Sequence, residues 1–255
     1  MIEQSNYTFG LPIAASSYAA EIDKSLHILH IGMLIIFVLW GIFFTFCLFK
    51  YRKGANPSAN HAAAKGGMIS FLPDFMVLAF ELWLVFALGL PIWSKVKEDF
   101  PIANQSHVVE MVAEQFAWSF HYPGTDNLFG KKDIKLISSG NLIGLDDTDP
   151  LSQDDFVLTN ELHVPIDKPT IIYMTSKDVI HSFFVPEFRV KQDTVPGMRI
   201  PLWFKPIKTG AFEIGCAQLC GLGHYRMKGT VIVHSPEDFE KWKMEQIQAK
   251  LASAE

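Results

Sequence analysis

The chain has 255 residues, a formal net charge of −5, 49% hydrophobic and 19% charged residues, with 21 Phe and 6 Trp. A mean hydropathy of +0.18 argues against a fully water-soluble chain, and no nucleic-acid partner is expected. The length allows one or two domains, with part of the chain expected in lipid.

The first predicted element is IGMLIIFVLWGIFFTFCLF, Ile31 to Phe49, which carries no charge across 19 positions. At helical rise it reaches ~28 Å, the thickness of a hydrocarbon core. The second, Phe71 to Trp93, is also long enough, although it holds Asp74 and Glu81. Residues 1–96 are therefore expected to be an N-terminal tail and a transmembrane hairpin, with spans at about 28–50 and 71–95. Asp74 follows Pro73 at a helix start and reads as a cap. Glu81, mid-span, is costly unless it faces a partner or water, and marks a possible proton route or subunit contact. Lys50, Arg52, Lys53 and Lys65 place the intervening loop in the cytoplasm, and both termini outside. GANPSANHAAAKGG within that loop reads as a flexible linker. The N-terminal stretch lacks a basic start followed by an apolar core, so no cleavable signal peptide is expected.

Residues 97–235 change character. VVEMVAEQFAWSF, LTNELHVP, PTIIYMTS, RIPLWFKP, GAFEIG and GTVIVH are short, rich in β-branched and aromatic residues, and separated by turn formers, so this domain is expected to be all-β. The polar stretch from Tyr122 to Phe156, with Asp146, Asp147, Asp149, Asp154 and Asp155, reads as surface loops around a strand. Residues 236–255 open with Pro236 and acids in the first turn, the start of a C-terminal helix. His27, His30, His107, His121, His163 and His234 read as packed or surface residues.

The chemistry concentrates in CAQLCGLGHYRM, residues 216 to 227. A Cys216–Cys220 disulfide would need neither histidine nor methionine, and zinc would leave Met227 idle. Soft thiolate and thioether with imidazole point to copper. Cys220, His224 and Met227 match a blue-copper loop, with His181 of DVIHSFFVP as the upstream ligand. Cys216 remains, and a thiolate can bridge two ions. Two cysteines four positions apart can thus join two coppers, each with one histidine, completed by Met227 and a main-chain carbonyl such as that of Gln218.

DVIHSFFVP, KQDTVPG and CAQLCGLGHYRM, preceded by a two-span hairpin, resemble subunit II of the haem-copper cytochrome c oxidases. The resemblance covers nearly the whole chain. It implies a two-helix transmembrane hairpin carrying an all-β cupredoxin domain, a Greek-key barrel, with a binuclear copper centre of the CuA type. The implied ligands are His181, Cys216, Gln218 through its carbonyl, Cys220, His224 and Met227. Haem would belong to the partner subunit only. The implied partners are the catalytic subunit I, a cytochrome c that is soluble, tethered or supercomplex-bound, and membrane lipid. The implied location is the bacterial inner membrane, with the copper domain on the periplasmic side. The function implied is electron input to a proton-translocating oxidase.

Departures from the pattern carry information. The family's CxExC supplies a Glu to a magnesium ion at the subunit border; Gln218 here puts that ion in question. The family's QWYWSY is QFAWSF here, so Phe116 stands at the usual entry Trp while Trp118 is kept, and electron entry is assigned to this pair. The Glu that the family tends to carry just before the second span is replaced by AKGGMIS. Asp178, beside His181, and the acids from Asp146 to Asp155 are the expected docking charges for the donor. Two other classes share some of these features: a CuA-bearing nitric oxide reductase subunit, and a membrane-anchored thioredoxin-like copper chaperone. In the chaperone the histidine follows the cysteines in a βα fold.

Overall fold

The computed structural model describes residues 10–55 and 67–252. They form two compact units, residues 21–99 and residues 10–20 with 100–252. The polar linker, with Lys65, lies outside the described residues except at its ends.

The first unit holds two helices long and apolar enough to cross a membrane. Helix α1 runs Ala19–Lys50 and so begins earlier than the apolar run alone indicates. The second span opens with a short turn at Met68–Phe71 and continues as α2, Leu72–Trp83. A π-helical stretch follows at Leu84–Gly89, then α3 at Leu90–Lys97. The wider π turn sits immediately before Pro91, which lacks the N–H of a regular ladder. The N-cap position of α2 is Phe71, which makes no side-chain cap bond, so Asp74 is not the cap that the sequence suggested. It lies in the first turn, where a carboxylate opposes the positive end of the helix dipole. Lys95 pairs with Glu21 at 2.5 Å, but both are about half exposed, and such a pair contributes little.

The second unit is a sandwich of two five-stranded sheets. Strands β1 (His107–Glu114), β2 (Ala117–Tyr122), β3 (Phe156–Thr159), β5 (Thr170–Ser176) and β8 (Ile200–Phe204) form one sheet, in the order β3-β2-β1-β5-β8. The other holds β4 (Glu161–Pro165), β6 (His181–Val185), β7 (Val190–Thr194), β9 (Gly210–Cys216) and β10 (Lys228–His234), in the order β4-β10-β9-β6-β7. Neighbours are antiparallel except β1 with β5 and β10 with β4. The chain changes sheet repeatedly, a Greek-key arrangement. Its core is Val109, Met111, Trp118, Phe120, Leu162, Ile172, Met174, Phe183, Phe204 and Ile214, all fully buried.

Two flanks of the sandwich are covered by chain from outside the sheets. At one, Ala15 N donates to Glu187 O (2.9 Å) and Ser17 N to Lys205 O (3.0 Å), while Tyr18 OH reaches Trp203 O (3.0 Å). These bonds bind residues before α1 to the barrel, which is why residues 10–20 group with it. At the other, helix α4 (Pro236–Ala252) covers β3, β4 and β10. Trp242 stacks on His163 with ring centroids 4.0 Å apart, and Phe239 meets His107 edge-on at 4.9 Å. His163 Nδ1 lies 2.8 Å from His234 Nε2.

The polar excursion between β2 and β3 lies over the outer face of β1, where Ile143 and Leu145 bury Val112. Two of its carboxylates, Asp149 and Asp155, are buried anchors. Asp155 accepts from Gly124 N, Gly130 N and His121 Nε2, at 2.8, 2.8 and 2.7 Å, and Asp149 accepts from Lys131 N at 2.9 Å.

Candidate metal centre

Three turns meet at one end of the sandwich: β1–β2, β5–β6 and β9–β10. Pairing of Phe183 with Cys216 sets β6 against β9, so His181 at the start of one strand lies near Cys216 at the end of the other. Ala217 N donates to Ser182 O (3.0 Å) and fixes where the metal loop departs. The loop then folds back, closing with a single turn at His224–Arg226.

The expected ligands converge. Nitrogen of His181 and the sulfurs of Cys216 and Cys220 lie within 4.8 Å of one another. Cys216 Sγ lies 3.1 Å from Gln218 O and 3.8 Å from Cys220 Sγ. Cys220 Sγ in turn is 3.6 Å from His224 Nδ1 and 3.8 Å from Met227 Sδ. The cysteines are free thiols. Cys220 and Met227 are buried, Cys216 and His224 half-buried, and only the side chain of Gln218 is exposed, its carbonyl facing inward.

His181 is fully buried and its ring is oriented: Nε2 lies 2.8 Å from Asp178 Oδ1. Nδ1 is buried with no hydrogen-bond partner, which leaves a lone pair for a metal beside the thiols. Burial alone would lower the His181 pKa, but Cys216 and Asp178 outweigh it and raise it. Burial likewise pushes the Cys216 thiol up, yet His181 and the Ser182 and Gln218 backbone pull it down to about 6. Burial and the neighbouring Cys216 charge push Cys220 up to about 11. Two sulfurs, two imidazoles, a thioether and a carbonyl exceed the four ligands of zinc and suit copper.

The other expected residues fall into two groups. Trp118 is fully buried and meets His181 edge-on at 6.2 Å; Phe116 lies half-buried on the metal loop. Asp178 is exposed, but its oxygens also accept from Gln115 N (2.7 Å) and Val179 N (2.6 Å); against the opposing effect of burial, His181 first and then these two N–H groups hold it below the usual carboxylate range. Its contacts make it an anchor of His181. Glu81 is remote in sequence and lies in the helical unit, in a groove of about 580 Å³ with Ser25, Leu26 and Val85. Gln115 was not singled out from sequence; nothing in its local pattern marks it.

An all-β sandwich with a thiolate and imidazole pocket at one end, on a chain with two membrane-length helices, defines an anchored cupredoxin-type protein. The family model for the periplasmic domain of cytochrome c oxidase subunit II matches residues 107–235. The alternative cytochrome c oxidase subunit 2 of Bradyrhizobium diazoefficiens is 36% identical over 222 residues, covering 83% of this chain and 75% of that relative. Cytochrome c oxidase subunit 2 of Cereibacter sphaeroides is 33% identical over 165 residues, covering 61% of this chain and 54% of that one. The crystal structure of the periplasmic domain of subunit II (CoxB) of Bradyrhizobium japonicum has 30% identity and a TM-score of 0.43, covering 58% of this chain and 97% of its own. The chain belongs to the cytochrome c oxidase subunit II family. It is by that membership a subunit of an oxidoreductase complex, and the family implies copper.

Proposed function

We propose that this chain is the electron-input subunit of a haem-copper cytochrome c oxidase of a bacterial inner membrane. It receives electrons from a cytochrome c on the periplasmic side and delivers them to haem in the catalytic subunit I, which reduces oxygen with proton translocation. The observation that carries the reading is the convergence of six candidate donors, from His181, Cys216, Gln218, Cys220, His224 and Met227, at one end of the barrel. A copper pair bound there supplies one-electron transfer with little bond-length change, because the charge is shared over both ions. The protein supplies the frame: β6 and β9 fix the distance between His181 and Cys216, Asp178 orients the imidazole, and buried Met227 and Trp118 keep water out. The domain scheme is a tail and hairpin over residues 1–96, a copper domain over 97–235 and a closing helix over 236–255.

Copper titration of the full chain in detergent tests this. The expected result is two coppers per chain with a mixed-valence electron paramagnetic resonance spectrum; one copper, or preference for zinc, would overturn it. The nitric oxide reductase alternative finds no support among the relatives described, which are oxidase subunits. The chaperone alternative needs a βα fold, and the barrel is all-β. Gln218 offers no side-chain carboxylate for magnesium, which is left out of the scheme.

Donor docking follows from the surface of the same loop. Leu222 is 98% exposed and Leu219 and Tyr225 each 78%, whereas Asp178 is engaged internally. The rim offers an apolar docking surface at these three residues, which fits a donor held against it in a larger assembly. Turnover with a free soluble cytochrome c is therefore expected to be slow and nearly independent of salt. Phe116→Trp should raise it severalfold, because an indole adds a polar edge to the stacking surface. Fast, strongly salt-dependent turnover that the tryptophan leaves unchanged would remove the tethered-donor reading.

Glu81 is assigned to contact with the catalytic subunit or with water, since hydrocarbon is costly for a carboxylate. Glu81→Gln should change assembly or proton-coupled turnover and leave the copper spectrum unaltered. A structure of the complex with Glu81 directed into lipid would exclude this.

A further inference from the structure

The β1–β2 reversal does more than connect two strands. Gln115 Nε2 donates to Cys220 O at 2.5 Å, while its backbone N–H donates to Asp178 Oδ2 at 2.7 Å. Asp178 Oδ1, in turn, lies 2.8 Å from His181 Nε2. One residue is thus bonded both to the metal loop and to the carboxylate that orients the upstream histidine, the two parts of the candidate ligand set that lie farthest apart in sequence.

The neighbouring ring completes the contact. Phe116 lies flat against the loop backbone, so closely that a Cβ added at Gly223 would fall 2.4 Å from its Cδ2. Gly221 has φ +135°, and a Cβ there would fall 2.6 Å from Gln115 Nε2. Only glycine permits this approach at both positions. The two glycines flank Leu222, and Gly221 follows Cys220 directly, so the loop geometry around the thiol is moulded on the Gln115–Phe116 turn.

We infer that Gln115 is a positioning residue for the copper centre: its side-chain amide holds the Cys220 main chain, and the Gln115–Phe116 turn sets the loop against which His181 is aligned. The inference rests on the copper reading given above and deepens it. The side-chain and main-chain bonds of Gln115 are separable, because any residue retains the N–H to Asp178. Gln115→Met removes only the amide donor at nearly constant length. Gln115→Lys returns an N–H donor on a flexible stem.

Full-length chain in detergent, unmodified and in both variants, is titrated with copper alone, and the midpoint potential and electron paramagnetic resonance spectrum of the loaded chain are recorded. Gln115→Met is expected to lower copper affinity by at least about tenfold and to shift potential and hyperfine pattern, as loss of an outer hydrogen bond does at other metal sites. Thermal unfolding of its metal-free form should match that of the unmodified chain, since Gln115 is exposed. Gln115→Lys should recover part of the affinity. A Gln115→Met chain with unmodified affinity, potential and spectrum overturns the inference, as does a Gln115→Lys chain no better than Gln115→Met. If the unmodified chain takes up no copper, the copper reading itself fails, and this inference falls with it.

Discussion

Cys216→Ser is expected to abolish the binuclear centre, leaving at most one copper per chain and a single-ion spectrum. Cys216 ends β9, is half-buried, and has its thiol, against the effect of burial, pulled down to about 6 by His181 and the Ser182 and Gln218 backbone. Burial and the neighbouring Cys216 push the Cys220 thiol up to about 11. The two sulfurs lie only 3.8 Å apart, within reach of the same ions. A serine hydroxyl keeps the volume but neither ionises in this range nor bridges soft ions. Copper per chain and the electron paramagnetic resonance spectrum decide the matter. Retention of two coppers and the mixed-valence signal by Cys216→Ser would eliminate bridging. Met227→Leu is the milder contrast: both ions should stay while the potential moves, because a weak axial thioether tunes more than it holds.

The second large effect is expected at the opposite end of the barrel, where Trp242→Ala should destabilise the β domain by about 3 kcal/mol, the lower end for a tryptophan truncation, since the ring is only partly buried. The ring stacks on His163 and meets Tyr122 and Phe156 edge-on at 5.4 and 5.8 Å, so its loss undoes most of the hold of α4 on the edge strands. Acid should weaken the same contact. Burial, together with its neighbour His234, lowers His163 from 6.5 to about 4, against the opposing effect of Glu161. Burial, with Lys243 and Lys168, lowers His107 to about 3. The sign follows from linkage: the unfolded chain binds protons near pH 6.5 that the folded imidazoles refuse. Stability from this cluster is therefore complete above about pH 6.5 and declines as pH falls toward 4. Urea unfolding of the full chain in detergent between these limits should show that slope, and Trp242→Ala should flatten it. An unchanged midpoint and slope in the variant would show that α4 is not held by this stack.

The helices, the all-β character of residues 107–234 and the metal loop were legible because each is written in local pattern. An uncharged run of membrane length, β-branched segments between turn formers, and C-x3-C-x3-H-x2-M need no distant partner to be recognised. Two strands were not marked. HSFFV was read for its histidine alone, and VKQDT, the edge strand β7, alternates too weakly to stand out. VVEMVAEQFAWSF reads as one continuous strand, yet it reverses at Gln115 and Phe116 into β1 and β2. No glycine or proline marks that reversal; the bonds to Asp178 and Cys220, 63 and 105 residues away, hold it.

The sequence by itself determined which soft donors share one short loop, because softness and charge belong to the side chain and spacing limits the reach of each donor. It also determined that part of the chain prefers lipid, since transfer free energy sums over consecutive residues. Tertiary structure alone decided what the remaining polar groups do. Asp178, read with the acids between β2 and β3 as a docking charge, also accepts from backbone N–H groups and orients His181, while Asp149 and Asp155 of that stretch anchor loop backbone. His107, His163 and His234, unremarkable on their strands, meet under α4. A hydrogen bond or a buried imidazole depends on what the fold brings within about 3 Å, and that distance is set by pairing between residues far apart in the chain.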